Sequence, residues 1–184
     1  DGDDSFFAIA KSDPITGEIA FSAGGQAIEI AAPKVLFDSA VAVAVTGTLT
    51  KTVLATVGVP AGVMGPNSTL RVLPVWSYTN SANNKVFGVE VGTAMPGTTI
   101  YMRTRTTTAS EMPLIEVQNR GAKSSQISKY AATSSYATAQ SALPTTHTID
   151  FNVAQNVFVY GQLANVGETI TLEALRVEIV NPYK

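Results

Sequence analysis

The closing part of this chain alternates between polar and apolar side chains, and this period-two pattern constrains the fold more than any other feature. Residues 168–172 alternate in this way, and residues 175–179 do the same. Successive side chains of a strand point to opposite faces, so the pattern places one set on a core and the other in water. Similar segments return about every 8–12 residues between turns, and no stretch keeps helical spacing, which predicts a β-sandwich or barrel.

Composition narrows the function classes. Charged residues make up 14% of the 184 residues and hydrophobic residues 45%, whereas soluble domains usually carry about 25% charged residues. We expect another chain to cover part of so weakly charged a surface. The formal net charge of −2 gives no attraction for nucleic acid or an anionic membrane. We expect neither a nucleic-acid partner nor membrane insertion, since no apolar run approaches the roughly 18 residues of a spanning helix.

The chain divides near residue 40. Residues 1–40 contain short alternating segments between tight turns, with too few large side chains to bury much apolar area alone. We predict a β-rich extension there, which docks on the following domain or packs with other copies, and a β-sandwich over residues 41–184. The chain begins without Met, and we expect it to be a fragment of a longer protein, with trimming by processing as the alternative.

Two irregularities are predicted within the strands. Residues 70–78 carry apolar side chains on both faces, which is typical of a central or covered strand and places Trp76 in the core. Pro74 interrupts this strand and predicts a bulge, because proline donates no ladder hydrogen bond. The alternation also changes phase at Ala174 and Leu175, which predicts a second bulge or bend.

Catalytic candidates are weak. His147 is the single histidine, and Asp150 would fall on the opposite face of the same strand, so we predict a strand-edge or loop histidine. Glu111, Glu116, Asp150, Glu168, Glu173 and Glu178 could in principle pair as glycosidase carboxylates. No motif surrounds any pair, and we expect Glu173 and Glu178 on a solvated strand face.

Metal sites are also weakly supported. The chain has no cysteine, which excludes disulfides and thiolate ligands. Asp1, Asp3 and Asp4 resemble the start of a calcium loop, but the twelfth position holds Ser12 instead of the required glutamate. We predict no catalytic residue, no metal and no cofactor.

Five residues are candidate ligand contacts. Arg103 and Arg105 share a predicted strand face beside Tyr101, and aromatic rings with guanidinium groups suit sugars and carboxylates. The alternative is an exposed strand face on which the arginine stems cover apolar surface. Tyr130 and Tyr136 lie in a segment rich in Ser, Ala and Thr that predicts a long surface loop. Loop tyrosines suit recognition, although they could equally pin the loop to the domain or to a neighbouring subunit.

The stretch from Gly47 onward resembles the C-terminal jelly-roll-like domain of tail spike and tail fibre proteins of tailed bacteriophages. The resemblance rests on the following segments: TGTLTKTVL at 46–54, VPAG at 59–62, GPN at 65–67, WSYTNSANNK at 76–85, VQNR at 117–120 and GQLANVGETITL at 161–172. It implies an all-β, jelly-roll-like antiparallel β-sandwich, a homotrimer and a place on the virion, on the phage tail or capsid surface. It transfers no functional residue. Residues 1–40 depart from the pattern and could form a trimeric collar.

Several functions are compatible with these features. The first is a non-enzymatic tail spike or fibre tip that trimerises and binds host-surface polysaccharide, where three weak sites gain affinity by avidity. The second is a capsid decoration or head-fibre protein, whose partners are other virion proteins. The third is a carbohydrate-binding module of a secreted bacterial enzyme. The fourth, an autonomous hydrolase, requires turnover of a polysaccharide, which we expect to be absent.

Overall fold

The protein forms fifteen β-strands in a computed structural model that describes residues 11–12, 19–23, 26–30, 32–130 and 145–182. Within those ranges no residue is helical, so the described residues contain no candidate membrane-spanning helix. The strands are β1 (Lys11–Ser12), β2 (Ile19–Ala23), β3 (Gln26–Ile30), β4 (Lys34–Ser39), β5 (Val43–Thr46), β6 (Thr52–Val59), β7 (Thr69–Tyr78), β8 (Lys85–Gly92), β9 (Thr98–Arg105), β10 (Ser110–Glu111), β11 (Ile115–Asn119), β12 (Gln126–Tyr130), β13 (Thr146–His147), β14 (Gln155–Leu163) and β15 (Thr169–Val180).

Two antiparallel sheets form a jelly-roll sandwich. One has the order β6-β14-β8-β9, and the other centres on the paired strands β7 and β15. Strands β4 and β5 pair with successive parts of β15, while β10 and β11 pair with the two ends of β7. Eight strands build the sandwich if β4–β5 and β10–β11 each count as one strand and the β12–β13 hairpin is left out. The pairs are then nested: β4–β5 with β15, β6 with β14, β7 with β10–β11, and β8 with β9. This nested pairing defines a jelly roll and confirms the predicted fold.

Strand β4 lies before the boundary predicted at residue 41, yet it belongs to the sandwich. β4 pairs with β15 from Lys34 to Ser39, so the sandwich begins at Lys34. The reason is the length of β15, whose 12 residues can pair with two short strands in succession. Strands β1, β2 and β3 form a separate antiparallel sheet; residues 1–10 lie outside the described part, and the trimeric collar stays a prediction.

The core lies between the two sheets. Trp76 on β7 and Phe87 on β8 are completely buried, and their ring centroids are 5.1 Å apart. The Tyr78 ring also stacks on the Phe87 ring, with their centroids 5.3 Å apart. As predicted, Trp76 is a core residue and β7 is a central strand with partners on both sides.

The predicted irregularities meet at one place. The pairing of β15 with β7 shifts between Leu172, which pairs with Trp76, and Ala174, which pairs with Val75, so that Glu173 is the extra residue. On the other side of β7, β11 pairs only as far as Val72 and β10 begins at Trp76. Pro74 therefore lies where, among the described strands, neither β10 nor β11 is paired with β7. The bulge falls one residue before the predicted phase change.

Candidate functional site

Tyr101 and Arg105, two of the predicted ligand contacts, bind Glu111 inside the protein. The Tyr101 hydroxyl donates to Glu111 Oε1 at 2.6 Å, and Arg105 Nε donates to Glu111 Oε2 at 2.6 Å. Because β9 and β10 belong to different sheets, Glu111 links the two layers. Burial, together with Glu111, raises the pKa of the Tyr101 hydroxyl. These contacts are structural, and ligand binding by Tyr101 and Arg105 stays a prediction.

Arg103 stands beside a shallow cavity on the same strand. Its guanidinium carbon lies 5.9 Å from the centroid of the Tyr101 ring, which is only 4% exposed. The cavity has a volume of about 110 Å³ and is bordered by Tyr101, Arg103 and Thr145. Thr145 directly follows residues 131–144, and the backbone of Tyr130 ends β12 just before them. The fold thus brings Tyr101 and Arg103 close to the C-terminal end of segment 131–144. Tyr136, which belongs to that segment, and the side chain of Tyr130 lie outside the described residues.

Glu178 is not on a solvated face, which corrects the prediction. It is 5% exposed and accepts hydrogen bonds from Arg71 and Arg176, each at 2.9 Å. Burial opposes ionisation, but the two arginines lower the pKa of Glu178 below its usual value. Arg71 also binds Glu116 at 2.7 Å, and Arg176 binds Asp38 at 3.1 Å. This row of charges crosses β11, β7, β15 and β4, and its carboxylates are bound to arginines.

A second polar cluster was not predicted from the sequence. Lys85 is fully buried, with Nζ 2.8 Å from Ser81 Oγ and 3.7 Å from Glu168 Oε1. Asn83 donates to the same carboxylate oxygen at 3.2 Å, and the Ser81 hydroxyl also donates to it. The hydrogen bond from Ser81, aided by Asn83 and Lys85, lowers the pKa of Glu168. The cluster anchors the turn before β8 to the start of β15.

His147 lies on the edge strand β13, as predicted. Its Nε2 is 2.5 Å from Ser128 Oγ, which superficially matches a nucleophile beside its base. Ser128 is completely buried, so a substrate has no route to the hydroxyl. Asp150 does not orient the imidazole, because its carboxylate accepts from the backbone and side chain of Asn152 at 2.9 and 2.7 Å. The pair serves to join β12 to β13.

Acid should weaken the fold through His147. Burial lowers the pKa of His147 below the value of about 6.5 expected in the unfolded chain, so the unfolded state binds the proton more readily. Its contribution to stability is complete above about pH 6.5 and is lost as the pH falls through that value towards the folded pKa. Urea unfolding between about pH 7 and pH 5 should show this decline.

The variant His147→Gln should flatten that decline, since the chain has one histidine and glutamine does not titrate. An equally steep decline in the variant would contradict the assignment.

Residues 32–53 carry most of the exposed large hydrophobic side chains of the described part of the chain. They include β4 and β5, yet Val45 alone among them is buried. Their outward apolar side chains, which we call the apolar strip, are Val35, Phe37, Val41, Val43, Leu49 and Val53. A groove of about 320 Å³ opens along the strip, lined by Phe37, Val41, Val43 and by Leu54 of β6. Exposed apolar side chains grouped around a groove are typical of interaction sites.

Within the described residues, no three His, Asp or Glu side chains come together as a metal ion would require. No family model matches the chain, and no curated protein matches it in sequence.

Two solved structures show a weak likeness. One is a structure of the Gx strain of infectious bursal disease virus, with 11% identity and a TM-score of 0.30 over 95% of this chain and 45% of that chain. The other is of the Gt strain, with 10% identity and a TM-score of 0.28 over 89% of this chain and 48% of that one. The chain thus spans less than half the length of either. Likenesses of this size carry no argument, and the jelly-roll assignment rests on the strand pairing.

Proposed function

We propose that this chain is a non-enzymatic structural domain of a virion, at the tip of a phage tail spike or fibre, which trimerises and binds host-surface glycans. The observation that carries the proposal is the apolar strip, whose side chains are exposed on the chain by itself and would stabilise an assembly that covers them. Each Å² of apolar surface removed from water is worth about 25 cal/mol. A monomeric domain would leave these apolar side chains in water, whereas an assembly would bury them.

The hydrogen-bonded polar groups support a structural role. Glu111 links two sheets, Glu178 links two arginines, and Glu168 holds Lys85. Each of these carboxylates is engaged inside the fold, where it stabilises the sandwich. The jelly roll is also the fold that the resemblance to spike and fibre domains implies.

Trimerisation is tested by sedimentation equilibrium of the full chain. We expect a molar mass three times the chain mass of 19.3 kDa at micromolar concentration. A monomer over the whole concentration range would contradict the proposal.

Glycan binding is tested on an array of bacterial surface polysaccharides. We expect the full chain to be retained on a subset of them, and Arg103→Ala to weaken retention by about tenfold, as the loss of one charge-assisted hydrogen bond would. Arg120→Ala is the matched control, because Arg120 is exposed and lies outside the β9 cavity. Retention of no polysaccharide, or turnover of any of them, would contradict this part of the proposal.

A further inference from the structure

We infer that the cavity beside β9 binds the acidic group of a polysaccharide, a carboxylate or a phosphate, through the guanidinium group of Arg103. The inference rests on the proposed function and narrows its glycan to an acidic one. The site lies between the edges of the two sheets, where Arg103 of β9 and Thr145, which precedes β13, border the same cavity.

Arg103 lies on the inner face of β9, at the rim of the sandwich. In the pairing of β8 with β9, Arg103 is opposite Phe87 and Tyr101 is opposite Val89, and both β8 residues are completely buried. Directly paired residues of an antiparallel sheet share a face, so Arg103 is directed towards the gap between the sheets. β9 is the last strand of its sheet, and Arg103 remains partly exposed there.

The charge at this rim is positive. Among the described residues that border the cavity, Arg103 alone carries a charge. The carboxylate of Glu111, which binds the Tyr101 hydroxyl, is also bound by Arg105, with both donors at 2.6 Å. Because one of these donors is a cation, the charge of Glu111 is compensated. An acidic group that enters the cavity therefore meets a cation without facing an unpaired carboxylate.

The guanidinium group of Arg103 suits an oxyanion. It has five N–H donors in a planar fork, which matches two oxygens of a carboxylate or a phosphate. Its carbon lies 5.9 Å from the centroid of the buried Tyr101 ring, and Arg103 has a further interaction within the chain. These contacts hold the group in place, and five donors are enough to keep them while two donors bind a ligand.

The size of the cavity limits what enters it. Its volume of about 110 Å³ is below the roughly 300–1,000 Å³ of sites that enclose a whole small molecule. It suits a single acidic group and part of its sugar ring, while the rest of the polymer would lie outside the cavity. One such contact is weak, and its copies on the proposed trimer would gain affinity by avidity.

The charge of the whole chain makes a binding test selective. The formal net charge is −2, so the protein as a whole does not attract a polyanion. Retention of an acidic polysaccharide would therefore report a local cationic site.

Binding of the full chain to the polysaccharides retained on the array tests the inference. Each acidic polymer is compared with its neutral form, obtained by carboxyl reduction or by dephosphorylation, which also distinguishes the two acids. We expect the retained polymers to be acidic and their neutral forms to bind about tenfold more weakly, as the loss of a charge-assisted hydrogen bond would cause.

Variants of the full chain assign the effect to Arg103. We expect Arg103→Ala to weaken binding of the acidic polymer by about tenfold and to leave binding of the neutral form unchanged, since the two changes remove the same contact. Arg103→Lys should lose less, because lysine keeps the charge but lacks the fork. Arg120→Ala removes an equal charge from an exposed position outside the cavity and should bind as the wild type. Circular dichroism checks that each variant keeps its β structure.

Each outcome decides the inference. Retention of neutral polysaccharides alone would overturn it and leave glycan binding intact. Equal binding of acidic and neutral forms, or an Arg103→Ala loss of the same size for both, would also overturn it. An equal loss in Arg120→Ala would indicate a general effect of charge and overturn the site. Retention of no polysaccharide would instead overturn the proposed glycan binding itself, so the two failures are distinguishable.

Discussion

Replacing Trp76 by alanine should lower the free energy of unfolding by about 3–5 kcal/mol, because a large cavity would open at the centre of the sandwich. Trp76 is completely buried, packs against Phe87 at 5.1 Å and lies on the central strand β7. Both sheets contribute to its surroundings, so neither layer can collapse into the space without moving the other. Urea denaturation followed by far-ultraviolet circular dichroism measures the loss.

Trp76→Phe is the matched control. Trp76 Nε1 makes no hydrogen bond in the structure, so phenylalanine removes volume without leaving a polar partner unsatisfied. The control should cost clearly less than the alanine variant. Equal losses in both variants, or a loss below about 1 kcal/mol in the alanine variant, would contradict the position of Trp76 in the core.

Replacing Gln126 by leucine should cost about 2–4 kcal/mol, because several buried polar groups would lose their partners at once. Gln126 is fully buried at the start of β12. The two N–H groups of its Nε2 are shared among three acceptors at 3.0–3.1 Å, which are Asn119 Oδ1, Lys123 O and Ile149 O, and its Oε1 accepts from Ile149 N at 2.8 Å. Leucine is similar in size, so the measured loss reports the hydrogen bonds rather than a cavity.

Gln118→Leu provides the comparison for this substitution. Gln118 lies on the neighbouring strand β11, and its amide makes exposed contacts: Nε2 donates to Asn67 O at 3.4 Å, and Oε1 accepts from Lys129 Nζ. We expect its effect on the free energy of unfolding to stay within about 0.5 kcal/mol. A Gln126→Leu loss no larger than that of Gln118→Leu would contradict the buried network.

The parts of the fold that the sequence predicted are those with a local pattern. Alternation over residues 168–179 predicted β15, and apolar side chains on both faces of residues 70–78 predicted a central strand around Trp76. The phase change at Ala174 predicted an irregularity, which the structure places at Glu173, and Pro74 lies in the gap between the pairings of β10 and β11 with β7. Such features depend on neighbours along the chain, which is why a single sequence contains them.

The unpredicted features depend on residues far apart in the chain. Gln126 lies in a segment rich in Ser, Ala and Thr, and nothing in its neighbourhood indicates that Ile149 will face it. Glu178 alternates like a solvated residue, but Arg71 and Arg176 cover it. The sequence also did not predict the solvent exposure of residues 32–53, because a valine-rich segment usually indicates a core strand. Only the structure shows that β4 and β5 lie at the edge of their sheet and that Val35, Phe37, Val41 and Val43 remain exposed there.

The central claim is that the apolar strip is covered in the assembled protein, and hydrogen–deuterium exchange tests it most directly. The comparison is between the wild type and Val41→Asp at a concentration where the wild type is a trimer. We expect the amides of β4, β5 and the edge of β6 to exchange more slowly in the wild type, while those of the β14–β15 turn around Val166 exchange equally in both. Equal exchange over residues 34–53 in the two proteins would contradict the account.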